Sequence, residues 1–309
     1  MQKNKSKGGL SGPPLLVLTI SVLMIVPTFL NFGSIGSPVA GYVAIIVLNL
    51  LIFGVPAALY CFIRGKGLIG KIRLSFPKKR SLAVTTLCAV LLMLQSCILK
   101  FGVFYFGYDY SAYRLYGSSF SVKTESLLDI LLPVIALAIV PAIAEEFVFR
   151  GIVFSEYSKT GFFCSAIASS LLFAFIHFDF AQFPIYFFDG ALLCFAVFLT
   201  GSAMTAVIAH IAYNIFVLFG EKYVWLFSSN PDSELLFWLI LIALYLIFAF
   251  VFLGVAEKIA RARADDGDEP PPTTVSKGDR LSAYLSVFTA KPMLIEIGLF
   301  AVVALIDAL

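Results

Sequence analysis

The run Ala144-Glu145-Glu146-Phe147-Val148-Phe149-Arg150-Gly151 places two carboxylates and a guanidinium within one otherwise apolar stretch. The chain holds two histidines, His177 and His210, and both also fall in apolar stretches, with Asn214 one helical turn beyond His210. Each ionisable side chain at the centre of a membrane helix costs about 2.5–3.5 kcal/mol on insertion scales, so such groups persist where they are paired or face a polar cavity. Glu146 and Arg150 are four residues apart, share a helix face and are expected to form an ion pair. Glu145 is displaced from them by about 100° and is left free for other work. Taken alone, the Glu-Glu-Arg cluster fits a buried salt bridge locking two helices nearly as well as it fits catalysis. A lone histidine in an apolar segment is, similarly, more often a satisfied core residue than a catalyst. The presence of both histidines beside the cluster favours a shared site.

A glutamate and a histidine together can take a proton from water and later deliver it to a leaving amine. A second histidine with an asparagine can donate hydrogen bonds to the oxyanion of a tetrahedral intermediate. The chemistry that uses all of these groups is hydrolysis of a peptide bond by an activated water. No GxSxG or HExxH pattern is present, so serine-nucleophile and zincin-type mechanisms gain no support from the sequence. Glu145, His177 and His210 would also make a three-ligand site for one divalent metal such as zinc, with an open position for water. Metal-activated and directly activated water both stay open on these residues. The Asn214 amide, an uncommon zinc ligand and a good oxyanion donor, favours direct activation without a cofactor.

These groups act together only if separate helices converge on them. Of the 309 residues 60% are hydrophobic and 13% charged, against about half and about a quarter in a soluble domain, so lipid is the expected solvent. The expected fold is an all-α, polytopic transmembrane helical bundle. Its apolar runs lie near 14–32, 39–63, 81–106, 126–157, 162–178, 182–200, 202–220 and 235–256, about eight spans, with an uncertain ninth at 293–309. Glu145, His177 and His210 then lie about 18, 22 and 12 Å from the cytoplasmic ends of their spans, which permits one shared cavity.

Residues 64–80 carry seven basic side chains and no acid, so this loop and the N-terminus are expected in the cytoplasm. The first span reads as uncleaved, because its apolar part is too long for a signal peptide. The charge-balanced loop 109–125 is then outside. The proline-rich acidic stretch 264–280 reads as a disordered linker. Glu296 and Asp307 leave the last apolar segment open between a ninth span and an interfacial helix. The five cysteines sit in apolar runs and read as small buried hydrophobes. The chain divides into N-terminal spans with the basic loop (1–125), a core (126–220), a C-terminal span (221–263), the linker (264–280) and an apolar end (281–309).

Glu145, Glu146 and Arg150, then Phe173 and His177, then His210 and Asn214 resemble the three signatures of the CAAX-protease and bacteriocin-processing family of intramembrane peptidases. Each motif is short, but the three in order within membrane spans are fairly specific, and they cover residues 125–220. The resemblance implies that Glu145 and His177 activate water, that His210 and Asn214 stabilise the transition state, and that Glu146 and Arg150 shape the site. Family members are commonly called metalloproteases, and a metal-free glutamate mechanism is also argued for them. The expected substrate is a membrane-associated peptide or protein, with the lipid bilayer as surroundings, no nucleic acid partner and the plasma membrane of a prokaryote as location. Two rivals remain at this stage: a proton-coupled transporter that would recruit Lys100 and Asp189, and a non-catalytic membrane scaffold or immunity protein.

Overall fold

The computed structural model describes residues 10–29, 37–105, 126–228, 234–268 and 277–307, and every regular element among them is helical. The expected all-α bundle is therefore what the chain forms. Helix α1 (Gly12–Ile25) begins on a proline pair, whose missing N–H groups cost nothing at a helix start. Helix α2 (Pro38–Arg64) is started by Ser37, whose side chain accepts from the Ala40 N–H. α3 covers Leu82–Tyr105 and α4 covers Leu127–Thr160. α4 is opened by a capping box in which Ser126 and Asp129 satisfy each other's backbone N–H groups. Next come α5 (Phe162–Phe175), α6 (Phe183–Thr200), α7 (Ala203–Phe219) and the short α8 (Glu221–Ser228). α9 (Glu234–Asp265), α10 (Lys277–Phe288) and α11 (Lys291–Asp307) complete the described chain.

Among the described residues five helices are long and apolar enough to cross a membrane, and a sixth crossing results if α10 and α11, bent by 53°, form one broken span. The expected eight counted α1, α5 and α7 as full crossings. These run for 14, 14 and 17 residues, about 21–26 Å of helix, which falls short of a hydrocarbon core of about 30 Å. Two of these short helices bring the histidines into the bundle. Large apolar side chains such as Phe62 and Phe250 point outward on the long helices, as lipid requires.

α4 is the element around which the others assemble. Its turns widen to π geometry at Val134–Ile139 and Phe147–Val153, and α2 does the same at Leu50–Gly54. The segments at Leu50–Gly54 and Val134–Ile139 end two residues before Pro56 and Pro141, where the ring leaves a carbonyl without its usual donor and local π turns re-satisfy the backbone. The third contains no proline and begins directly after Glu146. Its Phe149 carbonyl also accepts from Ser169 Oγ at 2.9 Å, which ties α5 to α4 at that level. One apolar core gathers α1, α2, α5, α10 and α11 around Val148–Tyr157 of α4, and a second gathers α3, α6, α7 and α9. All five cysteines are buried and free.

The basic loop and the start of the expected linker meet at one end of the bundle. Arg73 pairs with Asp268 at 3.2 Å, and Lys78 and Arg80 pair with Asp266 at 3.1 and 2.6 Å. Arg263 donates to the Phe198 and Leu199 carbonyls at 2.6 and 3.0 Å and to Asp268 at 3.1 Å. Arg64 pairs with Glu156 at the same end. Residues 264–268 thus finish α9 and its ion-paired turn, and Lys277 opens α10. The acidic composition that suggests disorder serves here as the complement of the basic loop. Residues 269–276, the loop 106–125 and the N-terminal lysines lie outside the described residues. At the other end of the sequence Glu296 is fully buried, and its Oε1 accepts from Ser21 Oγ of α1 at 2.6 Å. The carboxyl that made the last segment ambiguous is a contact between the first and last helices.

Candidate active site

Glu146 and Arg150 form the expected ion pair, Nη1 to Oε1 at 2.7 Å, with both side chains fully buried. The same Oε1 accepts from His210 Nδ1 of α7 at 2.8 Å. The other nitrogen of that ring, Nε2, lies 4.0 Å from Glu145 Oε2. One imidazole therefore stands between the two adjacent carboxylates of α4. Arg150 is held from two further sides: its Nη2 donates to the Gly190 carbonyl at 3.1 Å, and its guanidinium lies 4.6 Å from the centre of the Phe173 ring. Glu146 Oε2 is buried without a hydrogen-bond partner.

His177 sits just past the end of α5. Its Nδ1 donates to the Phe173 carbonyl at 2.8 Å, because a carbonyl can only accept, and this leaves Nε2 as the free ring nitrogen. The ring stacks on Tyr186 of α6 at 3.7 Å and an interplanar angle of 16°. Phe173 touches both imidazoles, with ring centres 4.9 Å from His177 and 6.1 Å from His210. Asn214 lies on the same face of α7 as His210, and its Nδ2 donates to the Ala138 carbonyl in the first π segment of α4 at 3.4 Å, near the limit for such a bond. Glu145, Glu146, Arg150 and His210 are thus gathered directly, and His177 joins through Phe173. Asn214 contacts the same helix closer to its start.

Among the described residues no three His, Cys, Asp or Glu side chains converge closely enough to hold an ion. His210 is oriented by Glu146, His177 by the Phe173 carbonyl and Tyr186, and the Phe173 ring packs against both. Lys100 and Asp189 are locally satisfied. Lys100 pairs with Glu221 at 2.6 Å, and Asp189 accepts from Gln95 at 2.7 Å, which in turn accepts from Tyr245 at 3.1 Å.

The same stretch of chain that supplies all six residues, 127–216, matches the family model described as Type II CAAX prenyl endopeptidase Rce1-like. Over this segment, less than a third of its length, the chain is similar to that family. The resemblance drawn from the three motifs is borne out by that match. Two curated relatives are similar to the chain: the "Putative membrane peptidase YdiL" of Bacillus subtilis, 33% identical over 103 residues, and the "Membrane-embedded CAAX protease MroQ" of Staphylococcus aureus, 31% identical over 113 residues. These alignments take in 32% and 33% of this chain and 42% and 46% of the relatives, so the chain spans less than half the length of either. No solved structure matches. With its long apolar helices and Rce1-like core, the chain is an integral membrane protein. α1, α2, α3, α8, α9, α10 and α11 lie outside the Rce1-like segment.

Tyr186 and Gly190 escape the sequence reading. A Cβ on Gly190 would lie 3.1 Å from Ser170 Cα, so this glycine lets α6 approach α5 closely enough for its carbonyl to reach Arg150. The available signal is a glycine in the middle of an apolar helix, where it lowers helix propensity and calls for a packing reason.

Proposed function

We propose that this chain is an intramembrane endopeptidase that hydrolyses a peptide bond of a membrane-associated peptide or protein. The observation that carries the reading is the placement of His210 between Glu146 and Glu145 in the bundle interior. With Nδ1–H committed to Glu146, His210 donates from Nε2 when it carries both protons, and the two carboxylates supply its countercharge. The 4.0 Å separation of His210 Nε2 and Glu145 Oε2 would admit one water about 2.8 Å from each, at an angle of about 90°.

Glu145, with the free Nε2 of His177 as a second acceptor, takes a proton from that water as its oxygen attacks the scissile carbonyl carbon. The carbonyl electron pair moves onto oxygen, and the resulting oxyanion accepts from His210 Nε2–H and the Asn214 amide. The proton held by Glu145 passes to the amide nitrogen as the C–N bond breaks, giving a carboxyl terminus and a free amine. Glu146, Arg150 and the Gly190 carbonyl keep His210 in register. The step needs no resident metal.

Glu145 lies eleven residues along α4 from Glu156, about 16 Å from the basic end of the bundle. The basic end faces the cytoplasm by the positive-inside rule, so the reaction takes place at the depth of the membrane core. The bacterial source of both relatives supports a prokaryotic plasma membrane as the location. Protein purified in detergent and offered a peptide library tests the assignment. Glu145→Ala is expected to lower turnover by about 10²–10⁴-fold, the contribution of a general base, while expression and helicity stay unchanged. Wild-type turnover in both Glu145→Ala and His177→Ala would overturn it.

A further inference from the structure

The C-terminal helix, outside the Rce1-like segment, reaches the turn that carries His177 from both of its flanks. α11 is anchored on α1 through Glu296 and Ser21, and its Met293, Phe300 and Ala304 enter the core that also holds Phe173 and Phe175. The Phe300 ring centre lies 5.1 Å from that of Phe175 and 5.5 Å from that of Phe183, and those two lie 5.7 Å apart. The three rings close a triangle. Phe175 precedes His177 by two residues, and Phe183 opens α6 on the far side of the turn.

Between these two rings the backbone reverses: the His177 N–H donates to the Ala174 carbonyl at 3.3 Å and the Phe178 N–H to the Phe175 carbonyl at 3.1 Å. Phe178 adopts a φ of 51°, a left-handed conformation that a bulky L residue holds only when its surroundings impose it. Asp179 closes the turn by accepting from the Gln182 backbone N–H at 2.9 Å and its side-chain amide at 2.8 Å. One turn into α6, on the face of Phe183, Tyr186 supplies the stacking partner of His177. Phe300 thus fixes the residue that ends α5 and the helical turn that presents Tyr186.

We propose that Phe300 is a positioning residue: α11 holds the 176–182 turn against α6 so that the His177 ring keeps its stack on Tyr186 and its Nε2 stays directed at the reacting water. The proposal rests on the reading of His177 as a water-activating residue. It assigns to a helix outside the family match a part in the alignment of the site.

The chain's two histidines make the test direct, because isotope labelling of histidine gives two sets of ring signals, assigned by His177→Asn. Phe300→Ala in the full chain is expected to shift or broaden the His177 ring signals and leave those of His210 in place. It is also expected to lower kcat by about 10-fold or more with KM little changed, as misalignment by a fraction of an ångström does. Phe300→Leu, which restores apolar volume, should return most of both. Unchanged His177 signals in folded Phe300→Ala protein, or equal perturbation of both histidines, would overturn the proposal. If Phe300→Ala does not fold, Phe183→Leu replaces it under the same criteria, since it breaks one side of the triangle and leaves α11 intact. The ring signals need no turnover, so a failed peptidase reading and a failed positioning role give different results.

Discussion

The bundle contains two clusters of acids and bases with similar inventories and opposite surroundings. Glu146, Arg150 and His210 meet in the interior, where the Glu146 and Arg150 side chains are 0% exposed. Asp266 and Asp268 meet Arg73, Lys78, Arg80 and Arg263 at the basic end, where the Lys78–Asp266 pair is 60% and 43% exposed. The bond lengths are alike, 2.7 Å in the first cluster and 2.6–3.2 Å in the second. Distance therefore does not distinguish them. Desolvation does: in the interior each charge depends on its partner, whereas at the wet end water stands ready to replace one. The interior cluster is accordingly suited to holding one ring orientation, and the wet cluster to fastening a helix end to a loop.

The sharpest way to break this contrast is to remove a single partner from the dry cluster. Arg150→Met leaves Glu146 buried without its counter-charge, and a loss of about 3–5 kcal/mol in unfolding free energy is expected, measured by denaturation in detergent. Converting both members, with Glu146→Leu added, should recover much of that stability, since no orphaned charge remains, while turnover stays lost because His210 has no anchor. A double variant as unstable as the single one would show that the loss comes from packing rather than from charge.

The pair of Arg64 with Glu156 lies between the extremes, with side chains 33% and 8% exposed. Glu156→Gln keeps the shape and removes the charge, and the expected cost is about 1–2 kcal/mol, above a surface pair and below the interior one. A cost equal to that of Arg150→Met would mean that solvent access does not rank these pairs.

The same contrast explains what could be read from the sequence. The Glu146–Arg150 pair was legible because a spacing of four residues fixes it within one helix, whatever else packs nearby. The role of Tyr186 was not, because its stack on His177 depends on how α5 and α6 are docked and on a turn whose residues, from Ile176 to Ala181, include no glycine or proline. That missing punctuation also let α5 read as a full span. The contacts of the two imidazoles were not legible for a related reason: sequence spacing gives depth along a helix but not the direction of a ring. At the wet end, Asp266 and Asp268 read as linker because their partners Arg73, Lys78 and Arg80 lie more than 180 residues earlier in the chain. Charge complementarity between two remote segments carries no local pattern.

The smallest effect belongs to Asp268, and its sign is fixed by the surroundings. Hydrogen bonding from Arg263, with Arg73 adding its charge, holds the Asp268 carboxyl below its ordinary value, and Arg80 and Lys78 do the same for Asp266. Because the folded state holds these protons less tightly than the unfolded state, the pairs stabilise the fold above about pH 4. That contribution is lost as pH falls further, through the lowered folded values. Asp268→Asn at pH 7 is expected to cost about 1 kcal/mol or less, since its side chain is 37% exposed and well screened. Arg263, only 3% exposed, keeps the Phe198 and Leu199 carbonyls as partners when the carboxylate is gone, so no buried charge is orphaned. In 1 M salt, where screening acts over about 3 Å, the difference between wild type and Asp268→Asn should shrink, while the effect of Arg150→Met should stay the same. If salt reduced both effects equally, dissolved ions would have to screen the Glu146–Arg150 pair, against its full burial.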